Sequence, residues 1–459
     1  MVQAPPWGVG TPPLGIALIS SYLKTKKIEV GIFDANVALY NASDDKTLWN
    51  FERKDEWNDR GAFAVIIERL DKQITDCLER IISFDPMMVG ISVNQNNILF
   101  SLELARRIKQ RKNIFIVTGG WGTYNKHERD LLRRDAVVDV FVIGEGEESL
   151  HEVIVAYKRG DEIKGVRGVL GKTEEESMFV PRAPKEDLDS IPFPAYEEFS
   201  LEDYRSRQLC LLSSRGCIGR CTFCNDRTYQ GTFRCRCPEQ LVQEFEYHVR
   251  RNHVYDFVFN DLLINGNLDH LNRWCDLLIE SGLTIRWFAQ ALTRPDMDLD
   301  LLLKMKKSGC HTLQFGVESG SDKILRKMKK MFTVSDAEKV LALTQQAGIA
   351  PWVNFIVGYP GEQEEDFQQT LSFIAHNRDK IERVGSVNTC NVVFGSELMK
   401  EKEKFGVILS NNPELVEVSW RCADGNCDEV RKDRSRRLIA VLNELRIPVG
   451  QTNLFAVPE

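Results

Sequence analysis

Six of the chain's twelve cysteines fall between Cys210 and Cys237, and three of these, Cys217, Cys221 and Cys224, follow a Cys-x-x-x-Cys-x-x-Cys spacing. A loop with that spacing can set three thiolates at three corners of a cubane iron–sulfur cluster, leaving the fourth iron without a protein ligand. An open iron can chelate the amino and carboxylate groups of a methionine moiety and deliver an electron to its sulfonium. The competing chemistry is a structural zinc ion, which needs four ligands, so Cys210, Cys235 or Cys237 would have to supply the fourth. The spacing matches poorly the paired Cys-x-x-Cys of zinc ribbons, which favours the cluster. Cys235 and Cys237, like Cys422 and Cys427, lack four ligands of their own and read as ordinary thiols.

Such a loop needs a scaffold. The cysteines follow an apolar run at 209–214, and further strand-like runs come at 256–260, 284–290, 312–317, 351–358 and 387–394, each followed by a helical pattern. Six βα units predict a partial barrel with its chemistry at the carboxyl ends of the strands. Ahead of it, short apolar runs at 28–33, 87–93, 114–118 and 138–143 alternate with amphipathic stretches at 14–24, 62–82, 99–109 and 147–157. That is a βαβ series and hence an open doubly wound sheet, whose first strand would be very short, at 2–4. Its glycine-rich and polar loops, including Asn36, Gly119, Gly120, Gly144 and Gly146, follow the strands and should share one pocket rim. Pro181, Pro184, Pro192 and Pro194 predict an extended linker. The expected organisation is α/β throughout: a Rossmann-like (flavodoxin-like) domain over 1–170, a linker over 171–204, a partial (β/α)6 barrel over 205–405 and a small helical region over 406–459.

The bulk composition narrows the class. At 459 residues the chain exceeds one hydrophobic core, and a formal net charge of −7 argues against general nucleic-acid binding. No apolar run is long enough to span a membrane, and the first residues carry no signal-peptide pattern, so a cytoplasmic protein is expected.

The segment 213–224, with Phe223 just before the third cysteine, resembles the signature of the radical S-adenosylmethionine (SAM) superfamily. Phe259-Asn260-Asp261, the stretch from Gln314 to Gly320 and the stretch from Asn354 to Glu362 match further strand ends of that family in order. Pro12-Pro13-Leu14-Gly15 and the stretch from Gly144 to Leu150 resemble the cobalamin-binding domain of one of its subfamilies. The resemblance implies that Cys217, Cys221 and Cys224 ligate a [4Fe–4S] cluster. It further implies that Phe223 packs near the adenine of SAM, Asp261 binds the methionyl amine, Gln314 and Glu318 face SAM or substrate, and Gly358 admits the adenosyl group. Asn36, Gly119, Gly120, Gly144 and Gly146 would line the cobalamin site.

One departure bears on cobalamin. Asn36 stands where a histidine would ligate cobalt in an Asp-x-His-x-x-Gly pattern, and the closing glycine is absent. The implied cobalamin therefore has no protein histidine on its metal. The implied activity is reductive cleavage of SAM to a 5′-deoxyadenosyl radical, coupled to methyl transfer onto an unactivated carbon or phosphorus centre of a small molecule or peptide. The electron would come from a flavodoxin- or ferredoxin-type donor. Ring formation or rearrangement with the same domains is the alternative, and a zinc-stabilised binding protein is the alternative from another class.

Overall fold

The computed structural model describes residues 1–410 and 419–450, in two compact units, Met1–Arg207 and the remainder from Gln208. Residues 411–418 and 451–459 of the expected C-terminal region lie outside the described residues.

The first unit is built on a sheet of β1 (Val2–Gln3), β2 (Phe33–Asp34), β3 (Met88–Ser92), β4 (Phe115–Gly119), β5 (Val140–Val142) and β6 (Val169–Gly171). Their order is β2-β1-β3-β4-β5-β6. The first five are parallel and β6 closes one edge antiparallel to β5. This is the flavodoxin-like order, with its topological switch beside β1. The central strands are apolar on both faces (Ile116 and Val117, Val140 and Phe141), as helices on either side of a parallel sheet require. Only two residues of β1 are strand, held between β2 and β3 by backbone pairing.

Three local expectations change. The helix expected at 62–82 is two helices, Arg60–Arg69 and Asp71–Ser83, broken at Leu70, whose side chain is buried. The strand expected at 28–33 is confined to β2, because Asp34 turns the chain by capping the helix Ala35–Ala42 through a 3.0 Å bond from Val37 N. The linker expected over 171–204 is extended but docked on this unit rather than free. Leu188, Ile191, Ala195 and Tyr196 are buried, Ala195 N donates to Ala17 O at 3.2 Å, and the Tyr204 hydroxyl donates to Asp34 Oδ2 at 2.7 Å. Proline content marked the extended backbone, while the apolar residues between the prolines supply the docking face.

The second unit starts with β7 (Leu209–Leu211) and a small antiparallel pair, β8 (Ser214–Arg215) with β9 (Arg234–Cys235). Then come β10 (Asp256–Phe259), β11 (Arg286–Ala291), β12 (Cys310–Glu318), β13 (Ala350–Val357) and β14 (Arg383–Thr389). Strands β7 and β10 to β14 form one parallel sheet in chain order, with a helix in each connection. This is the partial (β/α)6 barrel. Along β12, Leu313, Phe315 and Val317 are fully buried, while the alternating Gln314 and Glu318 are polar. The last barrel strand begins four residues earlier than expected. Val384 packs in it, while Val392 joins a separate apolar cluster with Tyr359 and Trp420. A hairpin of β15 (Val407–Leu409) and β16 (Trp420–Cys422) and the helix Asp428–Glu444 complete this unit. Among the described residues no helix is long and apolar enough to cross a membrane.

Candidate active site

The cysteine loop leaves the carboxyl end of the first barrel strand under close backbone control. Asp261, just past the end of β10, is 1% exposed. Its Oδ2 accepts from Ser213 N at 2.9 Å, its Oδ1 accepts from Ser213 Oγ at 2.6 Å, and Ser214 Oγ also donates to it. Burial pushes this carboxyl up to about 6. These bonds make Asp261 an anchor for the two residues that lead into the loop. Further on, a side chain at Gly216 (φ +79°) would meet Thr232 O at 2.2 Å, so the tight turn before Cys217 needs glycine.

The middle of the loop is tied to the segments that follow β12, β13 and β14. Thr222 N donates to Met328 O at 3.0 Å, Leu398 N donates to Thr222 O at 2.8 Å, and the hydroxyls of Thr222 and Tyr359 are 2.7 Å apart. Cys217, Cys221 and Cys224 are all part-buried free thiols. A side chain at Gly219 would lie 3.3 Å from Cys217 Sγ and 3.8 Å from Cys221 Sγ, so glycine leaves the space between those sulfurs open. Burial raises all three thiols above the ordinary cysteine value. They would ionise on binding a positively charged centre, as thiolate ligands do. The room that Gly219 leaves beside Cys217 and Cys221 is what fits a cluster, which these cysteines would hold as thiolates. Cys224 Sγ donates to Asp226 Oδ2 at 3.1 Å, and Cys237 Sγ donates to Glu239 Oε2 at 2.8 Å.

A buried ion pair faces this loop. Lys330 Nζ donates to Glu318 Oε1 and to Gly316 O, each at 3.0 Å, and lies 5.4 Å from the centre of the Phe223 ring. The side chains of Lys330 and Glu318 are 5% and 11% exposed. Burial opposes the lysine's charge, but Glu318 and the neighbouring Cys221 outweigh it and hold the ammonium above the ordinary lysine value. Glu318 takes φ +68°, a left-handed backbone unusual for this residue type, and Lys329 takes φ +57°. A side chain at Gly316 would come within 2.5 Å of Glu318 Oε1, so the pair occupies the face that glycine leaves empty. Lys330 was not legible as a site residue, since a lysine twelve residues past a strand end carries no motif.

The other expected contacts are placed as follows. Phe223 is half-buried and packs against the cluster of Ile324, Met328 and Tyr359 as well as beneath Lys330. Gln314 is buried one turn of the strand below Gly316 and donates to Asn354 Oδ1 at 2.8 Å. Gly358 was expected to admit an adenosyl group. The space beside its Cα is taken instead by Arg431, whose Cγ a side chain at 358 would meet at 2.2 Å. Beside Cys217 opens a cleft of about 720 Å³ lined by Arg220, Arg227, Phe233 and Arg294 among others.

In the first unit the glycine loops follow β4 and β5 as expected, but their tasks differ. Side chains at Gly120 and Gly119 would meet Val93 O at 2.6 Å and Val142 Cβ at 3.6 Å, and one at Gly146 would meet Ile19 Cδ1 at 3.2 Å. Gly120 and Gly146 thus stand in close packing, whereas the contact at Gly119 is an ordinary one. Gly144, at φ +99°, has nothing within 4 Å of the place a side chain would occupy. The Thr118 hydroxyl at the end of β4 is buried with no partner among the described residues, and Trp121 is exposed. An open glycine loop and an unsatisfied hydroxyl, beside the exposed Trp121 that stacks near Tyr124 at 5.3 Å, fit a bulky planar ligand. Asn36 Oδ1 accepts from Trp7 N at 2.9 Å and Trp49 Nε1 at 2.7 Å, and its Nδ2 donates to Trp7 O and Gly8 O at 3.3 Å. The amide's hydrogen bonds are all made inside the unit.

Comparison with known proteins agrees with both halves. Residues 211–374 match the family model of the radical SAM superfamily, and residues 59–154 match that of the B12 binding domain. An uncharacterized methyltransferase of Pyrococcus horikoshii is 28% identical over 67% of this chain and 68% of its own length. The cytidylyl-2-hydroxyethylphosphonate methyltransferase of Streptomyces wedmorensis is 26% identical over 87% of this chain and 79% of its own length. The radical S-adenosylmethionine methyltransferase TsrM from Kitasatospora setae, solved with cobalamin and a [4Fe–4S] cluster bound, shares the fold with a TM-score of 0.71 at 16% identity. That match covers 98% of this chain and 90% of TsrM. A match to the B12 binding domain thus lies ahead of a match to the radical SAM superfamily in this chain.

Proposed function

We propose that this enzyme is a cobalamin-dependent radical SAM methyltransferase acting on an unactivated carbon or phosphorus centre. The observation that carries the reading is a three-cysteine loop open at Gly219, in one chain with a sheet whose Gly144 loop has room for a planar cofactor. When bound, the cluster supplies one-electron cleavage of SAM, and cobalamin supplies a methyl carrier. In this reading Cys217, Cys221 and Cys224 hold the iron. Asp261, Thr222 and Tyr359 keep their loop in place. Phe223, Gln314 and Glu318 border the SAM and substrate space, and Gly144 and Trp121 border the corrin. The electron donor is a flavodoxin- or ferredoxin-type protein. Curated relatives named as methyltransferases, one of them acting on a phosphonate and matched over 87% of this chain, support transfer of a methyl group. Relatives named as magnesium-protoporphyrin IX monomethyl ester cyclases, matched over 53–65% of it, keep ring formation as the second reading.

The test is anaerobic reconstitution of wild type and Cys221→Ala, followed by iron and sulfide analysis, SAM cleavage and cobalamin titration. The reading expects about four irons and four sulfides per wild-type chain, their loss with SAM cleavage in the variant, and a bound corrinoid spectrum. Zinc in place of iron, or no corrinoid spectrum under reducing conditions, would overturn it.

A further inference from the structure

We propose that Lys330 is a positioning residue for the cluster: its buried ammonium is the fixed countercharge of the cysteine loop and holds the cluster's reduction potential up. This rests on the cluster reading above.

Three features make the charge a built part of the site. The ammonium is desolvated, and two of its donors are committed, at 3.0 Å each, to Glu318 and the Gly316 carbonyl. Both hold it against Phe223, the residue between Cys221 and Cys224, with Phe332 5.9 Å away on another side. The local backbone is arranged for the pair. Gly316 lacks the side chain that would fill its space, and Glu318 and Lys329 both adopt left-handed conformations. Such conformations cost on the order of 1–3 kcal/mol each, so the surrounding contacts must hold them in place.

The ammonium lies 5.4 Å from the ring centre of Phe223, the residue between Cys221 and Cys224, and is thereby held at the cysteine loop. Three thiolates around a cluster bring negative charge into the site. Reduction adds one more negative charge. A fixed cation nearby stabilises the reduced form more than the oxidised one, and net charge is among the factors that set cluster potentials. Glu318 opposes this effect, so the two residues should act with opposite signs. That opposition separates an electrostatic role from simple packing, because damage to packing has no reason to change sign between them.

The experiment is a redox titration of the reconstituted holoprotein without SAM, monitored by EPR, on wild type, Lys330→Met, Lys330→Arg and Glu318→Gln. Expected are a lower midpoint in Lys330→Met, recovery in Lys330→Arg, and a higher midpoint in Glu318→Gln. A tenfold change in the ratio of reduced to oxidised cluster at a set potential corresponds to 59 mV for one electron. If Lys330→Met fails to assemble a cluster, Glu318→Gln decides alone, and an unmoved or lowered midpoint there refutes the proposal. A four-iron Lys330→Met protein with the wild-type midpoint refutes it as well, even if its SAM affinity falls. A wild type without iron and sulfide removes the cluster reading and this proposal together, whereas intact wild type with unmoved variants removes only the proposal.

Discussion

The hydroxyls of Thr222 and Tyr359 lie 2.7 Å apart and join the centre of the cysteine loop to the residue that follows Gly358 at the end of β13. Tyr359 is fully buried, and its hydroxyl also donates to Lys327 O at 3.0 Å. One phenol thus ties the cluster loop to two separate connections of the barrel.

Tyr359→Phe removes that tie while keeping the ring. It removes one bond to the Thr222 hydroxyl and one to the Lys327 carbonyl, which keep each other as partners at 3.3 Å, a loss of about 0.5–1.5 kcal/mol per bond. The expected outcome is a lower urea midpoint and faster release of iron to a chelator at an unchanged initial iron content. Iron release at the wild-type rate would show that the loop does not depend on this bond.

Asp261→Asn separates the two roles considered for that carboxylate. Asparagine keeps one acceptor oxygen but points an NH2 group toward Ser213 or Ser214, where donors already converge. Replacing hydrogen bonds to a charged acceptor in this way costs about 2 kcal/mol. If Asp261 positions the loop, the variant loses stability and holds iron poorly, while SAM affinity per assembled cluster stays near wild type. Intact iron with SAM binding weakened tenfold or more would return Asp261 to the amine-binding role.

The cysteine spacing and the strand ends were legible because they are local in sequence. The order of β10 to β14 followed from six apolar runs with helices between, since parallel strands buried on both faces leave a run of apolar residues. Partners brought in from far along the chain were not legible. Arg431 fills the space beside Gly358 from 73 residues away, and Ser213 claims Asp261 across the 48 residues that separate them. Asn36 shows the same limit. Its position after a strand suggested a ligand contact, but its four hydrogen-bonding sites are taken by Trp7, Gly8 and Trp49. A sequence motif marks where a residue stands and not what already occupies its polar atoms.

Gly358 and Arg431 should therefore be strongly coupled. Arg431 stacks over Trp420 at 3.8 Å and donates to Trp420 O at 2.8 Å and Asn426 Oδ1 at 3.1 Å, so it has little freedom to move aside. Gly358→Ala meets both a backbone at φ +74° and a contact with Arg431 Cγ at 2.2 Å. The expected cost is about 2–4 kcal/mol, of which the overpacking part is on the order of 1–3 kcal/mol. In an Arg431→Ala background the overpacking part should vanish. Urea denaturation of the four proteins of this cycle gives the coupling, and additive effects would show that Arg431 yields to the new methyl group.

Glu362 gives the second unit a defined pH dependence. It is 3% exposed, and its Oε2 accepts from Gly358 N at 2.6 Å and from Arg434 NH1 at 2.8 Å. Burial pushes its carboxyl up to about 7, against the ordinary 4.5, and Arg434 only partly offsets this. Between those two values the folded chain holds a proton that the unfolded chain has released. The stability this group contributes is thus full below the ordinary glutamate value and is lost as pH rises through about 7. Glu362→Gln removes the titration while keeping an acceptor for Gly358 N. From pH 4.5 to 7.5 wild-type stability should fall relative to the variant by on the order of 1–3 kcal/mol. Urea midpoints taken across that range should converge or cross in that sense. Parallel curves for the two proteins would mean that Glu362 keeps an ordinary carboxyl in the fold, with Arg434 outweighing its burial.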